Sequence, residues 1–176
     1  MSVETLRPSA VGSVTNIISV SPSTAHWEAV DDAVADDDSS YVYTTNTDEF
    51  DTYRIPTHSL VSGVIDSVRV YIRCSKNVAS QTGFAKALVR LGTVTYLGAT
   101  AALPGTLAYN NYSHVWTLSP ATSGAWSIPE IDTLQIGIML TGAGSYGESR
   151  CTQVYADINY TPASELVVNG SFGAVV

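Results

Sequence analysis

Nine of the sixteen acidic residues, Glu28, Asp31, Asp32, Asp36, Asp37, Asp38, Asp48, Glu49 and Asp51, fall between positions 28 and 51. Closely spaced carboxylates with backbone carbonyls between them can wrap a calcium ion, which takes about six to eight oxygen ligands. Asp36, Asp37 and Asp38 are the ligands expected if an ion is held, although their spacing is not that of an EF-hand. Ahead of that reading stands a solvated loop that keeps the surface soluble and blunts a strand edge. Calcium is the one cofactor the sequence admits.

Other reactive patterns are weak. His26, His58 and His114 stand in separate segments without a neighbouring His or Cys at zinc-ligand spacing. There is no G-x-S-x-G elbow to present a serine, and Gly142-Ala143-Gly144-Ser145-Tyr146-Gly147 has the composition of a turn, without the spacing of a phosphate loop. The acid cluster could supply a glycosidase pair, but nothing marks two carboxylates with divided environments. A non-enzymatic protein is expected.

The chain has ten Tyr and three Trp. Aromatic rings on a sheet can stack against sugars, and Tyr41, Tyr43, Tyr109, Tyr112, Trp116 and Trp126 are the candidates, with Trp116, Trp126 and Tyr112 placed first. Tyr is also an ordinary strand former, so the same residues can simply be sheet.

The elements that would position these groups are strands. Ile65 to Cys74 alternates Val68, Val70, Ile72 and Cys74 against Ser67, Arg69, Tyr71 and Arg73, the period of a half-buried strand. Leu134 to Leu140 and Thr152 to Tyr160 repeat the pattern, the second with Val154, Ala156, Ile158 and Tyr160 inward. Phe84 to Leu91 and Thr93 to Leu97 flank Gly92 as a hairpin. Tyr112 to Leu118 places Tyr112, His114, Trp116 and Leu118 on one side. Val14 to Val20, Tyr41 to Thr45 and Phe50 to Ile55 are shorter strands. Ser127 to Leu134, with Pro129 and Glu130, is the one helical turn expected. Eight or more strands without long helices make an all-β protein, an antiparallel two-sheet sandwich of jelly-roll type.

Regular alternation puts the Cys151 thiol opposite Val154 and Ile158, whereas Cys74 lies on the apolar face of its own strand. Two free thiols on different sides are therefore expected, and a single disulfide is the alternative if a bulge changes the parity of one of them.

At 176 residues the chain fits one domain: an arm over 1–13, a sandwich over 14–161 and an apolar tail over 162–176. Its formal charge of −8 repels nucleic acid. The start lacks the pattern of a secretory signal, and no apolar run approaches the roughly 20 residues of a membrane span, so cytoplasmic synthesis without membrane contact is expected. In the tail, Leu166, Val168 and Phe172 are the partner-binding candidates. They could pack on the parent sandwich or add as a strand to a neighbour's sheet edge. The arm has a similar, thinner potential.

Trp27-Glu28-Ala29-Val30-Asp31-Asp32, then Asp36-Asp37-Asp38-Ser39-Ser40-Tyr41-Val42-Tyr43, and Cys151-Thr152-Gln153-Val154-Tyr155, with Leu6-Arg7-Pro8 before them, resemble jelly-roll domains in structural proteins of tailed bacteriophages. The likeness runs from about Leu6 to Tyr160. It implies a virion component made in the host cytoplasm: a capsid decoration protein, head fibre or tail-associated module. Its partners would be copies of itself and other virion proteins such as the major capsid protein. Leu166-Val167-Val168-Asn169-Gly170-Ser171-Phe172 also resembles the opening strand of carbohydrate-binding sandwiches that often carry a structural calcium. A glycan ligand is the alternative this second likeness implies.

Overall fold

The computed structural model describes residues 1–22, 25–79, 82–105, 108–142 and 147–163. Alternating Val and Ile segments form long strands because the period of two puts every apolar side chain on one face. The strands are β1 (Ser2–Leu6), β2 (Ala10–Thr15), β3 (Ser19–Ser21), β4 (Tyr41–Thr44), β5 (Glu49–Arg54), β6 (Val64–Lys76), β7 (Phe84–Leu91), β8 (Val94–Leu97), β9 (Ala101–Ala102), β10 (Asn110–Trp116), β11 (Gln135–Thr141) and β12 (Ser149–Thr161). The front sheet runs β10-β6-β12-β4-β3, with β1 also on β12, and the back sheet runs β2-β5-β11-β7-β8, with β9 on β7. Every pairing is antiparallel. The protein is an all-β, two-sheet sandwich of jelly-roll type, as its alternation predicts.

The core lies between the sheets. Val68, Val70 and Ile72 of β6 and Val154, Ala156 and Ile158 of β12 face Ala85, Ala87 and Val89 of β7 and Ile136, Ile138 and Leu140 of β11, all buried. In the back sheet, β11 and β5 approach so closely that a Cβ on Gly137 would lie 2.0 Å from the Asp51 carbonyl oxygen. Only glycine fits there.

The expected helical turn is α1 (Ile128–Asp132), opened by a capping box. The Glu130 carboxylate accepts from the Ser127 amide at 2.8 Å and from the Ser127 and Ser119 hydroxyls at 2.7 and 2.5 Å. A second short turn, a 3-10 turn at Trp27–Ala29, was not foreseen from periodicity.

Four expectations need correction. The segment Val14 to Val20 is two strands, because the chain leaves the back sheet at Thr15 and enters the front sheet at Ser19. Its break is held by Asp51, which accepts from the Asn16 and Ile17 amides at 2.8 and 3.0 Å in place of a ladder. The strand expected to reach Leu118 stops at Trp116, and Leu118 is 53% exposed. Residues 1–13 are not a free arm: β1 pairs with β12 and the first residues of β2 pair with β5, so both sheets include them. Finally, Cys151 and Cys74 are register partners, both buried, and they share the inner face. A register shift between Cys151 and Gln153 adds one residue and reverses the parity of everything before it.

Candidate functional site

The outward face of the front sheet collects the chain's least ordinary surface. Register sets Tyr155, Tyr71 and Ser113 in one row across β12, β6 and β10, Asp157, Arg69 and Val115 in another, and Val3 beside Asn159. The Tyr71 and Tyr155 rings stack with centroids 4.6 Å apart and planes 12° from parallel. Cations close both ends of the stack, with Arg7 4.8 Å from the Tyr155 centroid and Arg69 5.8 Å from that of Tyr71. Arg7 is aimed there by donating to the Asp32 and Ala33 carbonyls at 2.7 and 3.3 Å. Among the described residues, neither Arg7 nor Arg69 has a carboxylate within ion-pair distance. Asp157 instead accepts from the Thr5 hydroxyl at 2.6 Å. Burial raises the Tyr155 phenol above its ordinary pKa, with Asp157 adding to the shift and Arg7 opposing it.

The upper half of this face is covered by the segment 31–40, which carries the acid run. The edge of β12 is bare between its contacts with β4 and β1, and the segment fills that gap. The Val154 amide donates to the Val30 carbonyl at 2.8 Å, and the Gln153 amide group donates to the Asp32 carbonyl at 2.6 Å. Thr152, the bulge residue, donates to Asp36 at 3.0 Å, and so does the Ser40 hydroxyl. Asp37 takes a bidentate pair from Arg73 at 2.5 and 2.8 Å with its backbone in the left-handed region, φ 53°. Asp38 accepts from Arg150 at 3.1 Å and from the Tyr109 hydroxyl at 3.0 Å. Arg150 also holds Glu148 and lies 4.4 Å from the Tyr41 centroid.

The three carboxylates expected to share calcium therefore point to three different donor sets. Among the described residues, no group of three or more His, Cys, Asp and Glu is arranged to hold a metal ion. The acid run is also no free solvated loop, since arginines of β6 and β12 clamp it to the sheet.

The sugar-stacking candidates fare unevenly. Trp116 and Trp126 are 8% and 5% exposed and belong to the core, where the Trp126 ring nitrogen donates to the Trp116 carbonyl at 3.0 Å. Neither presents a ring to solvent, because β10 turns Trp116 inward and Trp126 bridges to Ile65 beneath it. Tyr112 is half-buried at a cleft of about 280 Å³ that it lines with Ile72, Ala87, Ala99 and Ala101, and its hydroxyl donates to the Ala102 carbonyl at 3.0 Å. Tyr41 and Tyr43 lie at 5.6 Å from one another, and burial raises the Tyr109 phenol well above its ordinary range. The partner-binding candidates Leu166, Val168 and Phe172 lie outside the described residues.

One buried polar centre was missed entirely. Asp51 is fully buried and, besides its two backbone donors, lies 2.6 Å from His26 Nδ1 and accepts from the Tyr53 hydroxyl at 3.3 Å. By sequence alone it stands among the acids of the 28–51 cluster. The available signal was its place between Phe50 and Tyr53 in a strand.

The class these features define is a jelly-roll sandwich with an aromatic and arginine-rich sheet face. No protein-family model matches the sequence, and no curated protein matches it. Among solved structures it is similar to the xylan-binding module CBM15, with 13% identity over 89% of this chain and 96% of that one at a TM-score of 0.46. A CBM4 structure matches with 14% identity over 76% and 90% of the two chains, TM-score 0.39. A structure of infectious bursal disease virus, Gt strain, matches with 12% identity over 90% of this chain and 33% of that one, TM-score 0.38.

Proposed function

We propose that the chain is a non-enzymatic virion structural protein, a capsid decoration protein or related head or tail surface component, that assembles through the front face of its sandwich. The carrying observation is the Arg7-Tyr155-Tyr71-Arg69 stack with Val3 and Val115 beside it. Interface centres are enriched in Tyr and Arg and depleted in Lys and Glu, which matches this surface. The occupant is a second copy of the chain. Two arginines that, among the described residues, have no carboxylate within ion-pair distance meet a molecule whose overall charge is −8, so one copy offers what the next requires. Contact between unlike surfaces closes into rings or arrays. The resemblance of the segments around Trp27, Asp36 and Cys151 to phage jelly rolls supports a virion setting, reached after synthesis in the host cytoplasm, with other virion proteins such as the major capsid protein as further partners.

Light scattering after size-exclusion chromatography tests this directly. The wild-type chain is expected above monomer mass, and Tyr155→Ala and Arg69→Glu are expected to be monomeric and folded. A monomeric wild type that also fails to join particles argues against the reading.

A second reading, a carbohydrate-binding module, keeps one observation in its favour, the cleft at Tyr112. It predicts selective signals on a glycan array that weaken about fivefold in Tyr112→Ala, since a lost ring contact is worth about 1 kcal/mol. Trp116 and Trp126 are buried and do not enter that test.

A further inference from the structure

Cys74 and Cys151 sit directly opposite one another on β6 and β12, both fully buried and both on the inner face. Facing residues of an antiparallel pair have Cα atoms about 4.5–5.5 Å apart, inside the range of about 4.4–6.8 Å that a disulfide spans. Cys151 Sγ donates to the Gln153 carbonyl at 3.4 Å, and the two thiols face each other across the ladder with no strand between them. The bulge at Thr152 creates this meeting, because without the extra residue the second sulfur would point out of the sandwich.

The pair also lies near an end of its strands, two residues before β6 stops at Lys76 and two after β12 starts at Ser149. Strand ends open locally far more readily than strand centres. Burial pushes the Cys74 thiol well above its ordinary pKa, which keeps the closed protein unreactive. Reaction therefore awaits local opening or the folding process itself.

We propose that Cys74 and Cys151 are a dithiol that closes to an intramolecular cross-strand disulfide in oxidising surroundings, with a small-molecule disulfide as oxidant. One cysteine thiolate attacks a sulfur of glutathione disulfide, forming a mixed disulfide and releasing one glutathione thiolate. The second cysteine, as thiolate, attacks the protein sulfur of that mixed disulfide and expels the other glutathione. One protein disulfide forms, one glutathione disulfide is reduced, and the two protons lost by the cysteines end on the two glutathione thiols. The bond closes the chain from 74 to 151, so it restricts the unfolded state strongly. This inference goes beyond the assembly reading and does not depend on it. A chain made in a reducing compartment would fold with free thiols and lock when it leaves.

The test is refolding from urea in graded mixtures of reduced and oxidised glutathione, followed by acid quench, alkylation and mass measurement. The expected product at the oxidised end is a monomer lighter by two hydrogen atoms with no alkylatable thiol, and its urea midpoint lies above that of the reduced chain. The same mixtures in denaturing urea should need at least tenfold more oxidant for half conversion, since only folding brings the sulfurs together. In Cys74→Ser, or Cys74→Ala if the serine variant does not fold, Cys151 should retain glutathione that the wild-type chain expels. A folded wild-type chain that keeps two thiols at full oxidation, keeps bound glutathione, or links to a second chain would overturn the proposal.

Discussion

The clearest residue-scale consequence concerns Asp51. A fully buried carboxylate survives because four donors surround it: the amides of Asn16 and Ile17, His26 and Tyr53. Replacing it by alanine removes the acceptor and leaves those donors without partners in the interior. Asp51→Ala is expected to lower unfolding stability by about 3 kcal/mol, with Asp51→Asn losing less, read as a shift in urea midpoint. Such a residue is hard to read from sequence, since an acid beside other acids carries no mark of its direction. The same holds for Asp36, Asp37 and Asp38, whose density was plain. Their destinations depend on Thr152, Arg73 and Arg150, far away along the chain.

At the scale of elements, local chemistry made some features plain and left others dark. Long Val and Ile alternations announced β6, β7, β11 and β12, and Ser127 with Glu130 announced α1. The N-terminal strands carried little alternating apolar pattern, and their existence depends on β12 and β5 offering edges to pair with. A change of sheet between Thr15 and Ser19 leaves period two almost untouched, so the Val14–Val20 run looked continuous. The capping box yields a pH prediction. Burial tends to raise the Glu130 pKa, but hydrogen bonds from the Ser119 and Ser127 hydroxyls and the Ser127 amide outweigh it and hold it below the ordinary value of 4.5. Its stabilising contribution is thus fully present above the unfolded value and fades as pH falls from about 4.5 through the lower folded value. Glu130→Ala should cost about 1 kcal/mol at neutral pH, and the difference from wild type should narrow on acidification, as measured by denaturation at a series of pH values.

For the molecule as a whole, charge distribution is the feature with most consequence. Arg7, Arg69, Arg73 and Arg150, half of the eight basic residues, gather at one face of a strongly acidic protein. Arg73 and Arg150 are engaged by the acid run, whereas Arg7 and Arg69 have no carboxylate within ion-pair distance among the described residues. Association through that face should weaken as salt rises from about 0.05 M to 0.5 M, because exposed charges are screened over a Debye length of about 10 Å at 0.1 M. Arg69→Glu should remove both the association and its salt dependence in sedimentation experiments. None of this gathering was legible beforehand. Which strands stand side by side is decided by long-range pairing, and a residue pattern fixes only which way each side chain turns.

The position of β12 in the chain has a kinetic consequence. It is the partner of β1, β4 and β6 at once, yet among the described strands it is the last to leave the ribosome. Until residues 149–161 emerge, the three earlier strands have no common neighbour, and the nascent polypeptide waits with open hydrogen-bonding edges. Contacts spanning most of a sequence are slow to form, so maturation should resemble that of other non-local β topologies, milliseconds to seconds or longer.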